Sequence, residues 1–174
     1  MSTQEEKYYK VLEAALALDI REGHLKWKMI SLSRKSKVNR TWIYYMFGRS
    51  KQSILENAIQ LFGSELAGIT PDRMKNWHMG DLTASIHKNR ELFLRIPTLP
   101  SFYFLYRNRK DQIEKLIRLK EKQLEKKVKS FFPNFSDDFI RVFIAILFGF
   151  SFNPNLKETD LPIAEKLINV FLKN

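Results

Sequence analysis

The sequence predicts an all-α protein. Apolar residues recur three and four positions apart along most of the chain. Sustained alternation of apolar and polar residues, the mark of a strand, is missing. Glycine and proline are few, six of each in 174 residues, and most of them mark boundaries. Apolar residues make up 44% of the chain, enough to build a real core and to argue against disorder.

The first helix is expected over "YYKVLEAALALDIREG" (8–23), where Val11, Leu12, Ala15, Leu16 and Ile20 form one stripe and Gly23 stops it. "KMISLSRKS" (28–36) places Met29 and Leu32 together, with Ser33 and Ser36 small enough for close helix contact. "TWIYYMF" follows after a break at residues 37–39. "SKQSILENAIQLFGSEL" (50–66) puts Ile54, Leu55, Ala58, Leu61 and Phe62 on one face. A helix over 70–79 has Thr70 as cap and Pro71 in its first turn. One over 81–96 starts at Asp81 and is broken by Pro97 and Pro100. Residues 101–132 read as one long helix or two abutting ones. Residues 136–152 follow, with Ser136 as cap and Asp137 and Asp138 in the first turn, favourable to the helix dipole. Residues 159–174 close the chain. The apolar run 139–152 carries Arg141 and is shorter than the roughly 20 residues of a membrane span, so a buried helix and no membrane partner are expected.

The net charge is +11, which favours an anionic partner. Its placement is more telling. Lys26, Lys28, Arg34, Lys35, Lys37, Arg40, Arg49 and Lys51 fall in a stretch, 26–51, without one acidic residue. Such a block raises the positive potential where phosphates bind, although a solvated basic face explains it as well. Residues 115–129 are basic too. Their plain reading is a solvated helix braced by Glu114–Arg118 and Glu125–Lys129, acid first and base four on; their alternative use is to attract an anionic effector or more DNA.

Catalytic and metal chemistry finds little support, and no cofactor is expected. There is no cysteine, hence no disulfide frame and no thiolate metal site, which fits a reducing cytoplasm. The polar opening "MSTQEEKYYK" does not read as a secretory signal. His78, Asp81 and Glu91 are the nearest approach to a metal set but lack a helical two-ligand spacing. Neither a nucleophile-elbow motif nor a glycine-rich phosphate loop occurs.

Two short helices joined by about three residues, preceded by a third and set in a basic block, form the pattern of a helix-turn-helix. The order Gly23, Met29, Leu32, Val38, Ile43, Tyr44, Tyr45, Phe47, then Lys51 and Leu55, resembles the TetR family of transcriptional regulators. The register runs without a gap from Gly23 through Phe47, with one extra residue before Lys51, and covers about the first third of the chain. Departures stand at Asp19 (usually aromatic), Trp27 and Lys28 (threonine or serine), Ser36 (alanine), Lys37 (glycine), Trp42 (threonine) and Met46 (histidine). At Lys37 the family turn implies a left-handed backbone.

The resemblance implies a DNA-binding domain over 1–57 and an effector-binding and dimerisation domain over 58–174. Residues 38–47 would enter a major groove, which accepts one α-helix. Arg40 would meet a guanine edge or a phosphate; Asn39 and Thr41 would bond bases or backbone oxygens; Trp42 would pack on sugars or a thymine methyl, or else serve the core or a dimer contact. Tyr45, Lys51 and Lys28 would clamp phosphates. Tyr44 and Phe47 are expected in the core. The helices at 136–152 and 159–174 would pair with a second copy, giving a homodimer suited to a two-fold site on double-stranded DNA. A small-molecule effector, apolar or anionic, would lie among Trp77, Phe93, Phe102, Tyr103, Phe104 and Tyr106, whose plain reading is an aromatic core. A ligand-released repressor is the implied function. The alternative is a helical interaction protein of the same fold that no longer reads DNA.

Overall fold

The first helix, α1 (Gln4–Glu22), opens on a capping box. Thr3 Oγ1 accepts from the Glu6 N–H at 3.1 Å and the Thr3 N–H donates to the Glu6 carboxylate at 3.2 Å. The box satisfies first-turn donors, so the helix begins before the apolar stripe does. At its other end the Gly23 N–H donates to the Asp19 carbonyl at 3.1 Å. Gly23 has φ 94, and a Cβ there would lie 3.2 Å from Lys26 Cδ, so the position suits glycine. The computed structural model describes residues 3–67, 75, 83–153, 155–163, 166 and 167.

The remaining elements are α2 (Met29–Ser36), α3 (Arg40–Phe47), α4 (Lys51–Ala67), α5 (Thr83–Arg95), α6 (Leu99–Tyr106), α7 (Gln112–Phe131), α8 (Asp137–Phe152) and a 3-10 turn at Glu158–Asp160. The fold is all-α. The long helix expected over 101–132 is two, α6 and α7, because residues 107–111 form a turn. Lys110 has φ 62 there, and Asp111 Oδ1 accepts the Glu114 N–H at 2.9 Å, a cap that starts α7 afresh. Pro100 lies in the first turn of α6, where its missing N–H costs nothing. Ser136 caps α8 as expected, accepting from Phe139 N at 3.2 Å. Apart from residue 75, which is helical, the helix expected over 70–79 lies outside the described residues, as do the Asp81 cap and most of 159–174. No helix among the described residues is long and apolar enough to cross a membrane.

The chain divides into two compact units. The first comprises Met1–Phe62 and Leu92–Arg118, so the segment carrying α6 groups with the helices before residue 57. Its core takes Leu12, Leu16 and Leu18 from α1, Trp27 and Leu32, Ile43 from α3, and Ile54 and Leu55 from α4. Phe102, Tyr103 and Tyr106 of α6 are buried in it as well. Glu13 joins α1 to the start of α6, its carboxylate accepting from the Thr98 N–H at 2.9 Å and the Thr98 hydroxyl at 2.5 Å.

The second unit comprises Gly63–Glu91 and Leu119–Asn174. Ile86, Leu124, Val128, Ile140, Phe143, Leu147, Leu156 and Leu161 form its core. Along α8 the buried residues Ile140, Phe143, Leu147 and Ser151 keep helical spacing, while Val142, Ala145 and Gly149 on the other side are exposed.

Candidate nucleic-acid interface

The turn between α2 and α3 is held by serine hydroxyls. Ser33 Oγ donates to the Val38 carbonyl at 2.7 Å, and Ser36 Oγ accepts the Val38 N–H at 3.3 Å. Lys37, at φ 57 and ψ 28, has the left-handed backbone expected of that position. Asn39 caps α3, its Oδ1 accepting from the Trp42 N–H at 2.8 Å. That carbonyl therefore serves the helix, and the amide Nδ2 is the part of Asn39 left to meet another group.

One side of α3 is core. Ile43 and Phe47 are buried, and the Phe47 ring stacks on Tyr8 at 5.0 Å. Trp42 is half-buried, its ring edge-on to Phe47 at 6.3 Å. Tyr44 is half-buried beneath the Arg49 guanidinium at 5.8 Å. The other side presents Arg40, Thr41 and Tyr45 to solvent, Tyr45 being 81% exposed. Lys28, at the cap position of α2, is exposed and makes no side-chain cap bond. Lys26, Arg34, Lys35, Lys37 and Arg49 are exposed too.

Lys51 behaves differently from its neighbours. It is half-buried, its Nζ donates to the Leu25 carbonyl at 2.6 Å, and it lies 5.6 Å from the centre of the Trp27 ring. The ammonium thus ties α4 to the segment between α1 and α2, and keeps two further donors for an anion.

Asp19 organises this segment, a role not among those expected above. Asp19 is 1% exposed. Its carboxylate accepts from the Leu25 N–H at 2.8 Å, from Trp27 Nε1 at 2.7 Å and from the Tyr106 hydroxyl, and it lies 3.1 Å from His24 Nδ1. Four partners satisfy a buried carboxylate that would otherwise be costly to bury. They also account for Trp27, whose buried indole donates to that carboxylate. A usable signal existed, since Asp19 falls on the helical stripe of Leu12, Ala15 and Leu16, where a charge demands partners.

Tyr106 closes the group from α6. Its ring stacks on Phe102 at 3.9 Å and lies under the Arg109 guanidinium at 4.5 Å. Burial, and then the hydrogen bond to Asp19, push its phenol well above the usual tyrosine range. Burial, with Tyr9 adding to it, raises the Tyr8 phenol as well.

Of the residues expected around an effector, Phe93, Phe102, Tyr103 and Tyr106 are buried together, with Phe62 5.1 Å from Tyr103 and 6.3 Å from Phe93. Phe104 points outward, 57% exposed, because on α6 it follows directly on buried Tyr103. Trp77 lies outside the described residues. A separate cleft of about 220 Å³ is lined by Glu125, Lys126, Lys129, Asp137, Ile140 and Arg141. Arg118 pairs with Glu114 at 3.6 Å, whereas Lys129 turns to Asp137 at 3.2 Å and the Phe135 carbonyl, so the brace expected between Glu125 and Lys129 is not made. His78 and Asp81 lie outside the described residues, and among the described ones no group of three His, Asp or Glu is placed to hold a metal ion. Comparison of the chain with family models, curated proteins and solved structures finds no match.

Proposed function

We propose that this protein is a DNA-binding transcriptional regulator of the TetR type, a dimeric repressor released from a two-fold operator by a small molecule. One observation carries the reading. A capped eight-residue helix, core on one side, offers Arg40, Thr41 and Tyr45 to solvent within an acid-free stretch of exposed lysines and arginines. A rigid helix with such side chains suits a major groove, where arginine pairs with guanine and the flanking cations neutralise phosphates. Asn39 reaches DNA through its amide nitrogen. Tyr45 and Lys28 are free to touch phosphates, and Lys51 does so with the donors that Leu25 leaves. Dimerisation through α8 is supported by the exposed apolar side at Val142, Ala145 and Gly149, with Ile163 and Leu167 exposed beyond it.

Selection from random duplex DNA with the purified chain, followed by gel retardation over a salt series, tests the proposal. A retarded complex on a two-fold site is expected, with log affinity falling about 0.9 per phosphate neutralised as log salt rises. Selection that enriches no sequence removes the regulator and leaves a helical interaction protein.

A further inference from the structure

The middle of α5 and the end of α8 meet in the second unit over three polar side chains. Asn89 Nδ2 donates to Ser151 Oγ at 3.1 Å, and Arg90 Nη2 donates to the Leu156 carbonyl at 2.5 Å. Asn89 is 4% exposed, and Ser151 is buried with it. Each of the two α5 residues has a shielded atom with nothing to bond. Asn89 Oδ1 is an acceptor without a donor, and Arg90 Nη1 is a donor without an acceptor. Because Ser151 and Leu156 flank the C-cap Asn153, both side chains reach the same end of α8.

Buried polar atoms without partners are rare, and although Arg90 as a residue is only partly buried, a guanidinium nitrogen shielded from water without an acceptor is costly. These two are complementary in kind. One asks for an acceptor, best an anion, and the other asks for a donor. They sit beside apolar residues. Ile86 lies on the Asn89–Arg90 side of α5, three and four residues back; Leu147 lies one turn before Ser151; and Leu156 supplies the carbonyl itself. All three belong to the buried core of the unit.

We propose that this junction binds a small organic acid bearing a hydroxyl or N–H donor close to its carboxylate. The carboxylate accepts from Arg90 Nη1, the donor reaches Asn89 Oδ1, and the carbon skeleton lies against Ile86, Leu147 and Leu156. The inference rests on the effector half of the function proposed above and gives that effector a chemical class. It is independent of the aromatic group around Phe102.

Thermal melting of the full chain without DNA tests it, with glycolate against acetate and salicylate against benzoate at matched ionic strength. The hydroxylated acid of each pair raises the melting temperature in a saturable way, and at lower concentration than its partner. Arg90→Met weakens the apparent affinity for all four acids at least tenfold. Asn89→Leu removes the advantage of the hydroxyl and leaves the response to the carboxylate. If Arg90→Met does not fold, Arg90→Lys serves: it keeps the charge but lacks the planar fork whose separate nitrogens reach the Leu156 carbonyl and an acid, so its response is weaker than wild type. No response in the wild-type chain overturns the proposal, as does an undiminished response in the Arg90 variants. Acids that do nothing while Arg90→Met melts above wild type leave an unpaired cation and no site. An acid response in a chain that selects no DNA sinks the regulator and keeps the site; selected DNA with no acid response does the reverse.

Discussion

Asp19 shows how much one side chain decides here. Asp19→Ala leaves the Trp27 N–H, the Leu25 N–H and the Tyr106 hydroxyl buried without an acceptor, a loss on the order of 3 kcal/mol in urea unfolding. Tyr106→Phe keeps the stack on Phe102 and loses one bond, about 1–2 kcal/mol. The raised phenol sets a sign. The folded chain holds that proton more tightly than the unfolded chain, so the contribution is whole below the ordinary tyrosine pKa of about 10 and drains as pH rises beyond it. Melting temperature should therefore fall above that pH, and less steeply in Tyr106→Phe; equal slopes would mean that Tyr8 and other groups carry the effect. Lys37, at φ 57, gives the opposite case, since Lys37→Gly relieves a left-handed lysine and should stabilise by up to about 1 kcal/mol in melting without DNA. The left-handed turn was legible from the register of the flanking residues. The Asp19 group was legible only in part: a charge on the apolar stripe of α1 asks for partners, but Tyr106 arrives from a distant helix and periodicity reports nothing of it.

Helix α3 separates roles that its sequence runs together. Asn39→Ala removes a cap and should cost about 1 kcal/mol of stability in the free protein. Arg40→Ala, on an exposed side chain, should leave melting unchanged yet weaken the selected site by about 1–3 kcal/mol per half-site, more than random DNA. Lys51→Ala should do both things, lowering the melting temperature through the lost Leu25 bond and weakening all sequences alike. If Lys51→Ala leaves melting untouched, that bond is incidental and the lysine serves phosphate alone. The helices themselves were readable wherever an amphipathic stripe met a stop signal, as in α2, α4 and α8. Their ends were not where side-chain caps decided them: Thr3 with Glu6 extended α1, and Asp111 divided the long helix expected after residue 101. Phe104 shows the matching limit for the candidate pocket, since a cluster of aromatics does not say which one faces out.

For the molecule as a whole, the +11 charge sets the energetics of any nucleic-acid contact. Phosphate contacts of that kind appear in the salt slope, so affinities at two salt concentrations say more than one dissociation constant. The proposed dimer has its own check. Val142→Glu, placed on the exposed side of α8, should give a folded monomer by sedimentation and abolish cooperative binding to the two-fold site. A dimer that survives the change places the interface elsewhere. The all-α class was legible throughout, because helical spacing is local; the grouping of residues 92–118 with the first helices was not, because it is a long-range choice made by packing.

That grouping governs the order in which the protein can be born. The carboxylate of Asp19 leaves the ribosome 87 residues ahead of the phenol that completes its shell. At 5–20 residues per second the wait is on the order of ten seconds. Until then the first four helices carry every side chain assigned to DNA but lack α6, and with it the partner of Glu13 and the hydroxyl on Asp19. A nascent chain stalled near residue 62 should therefore be open to proteases, and one stalled well past Tyr106 should resist them.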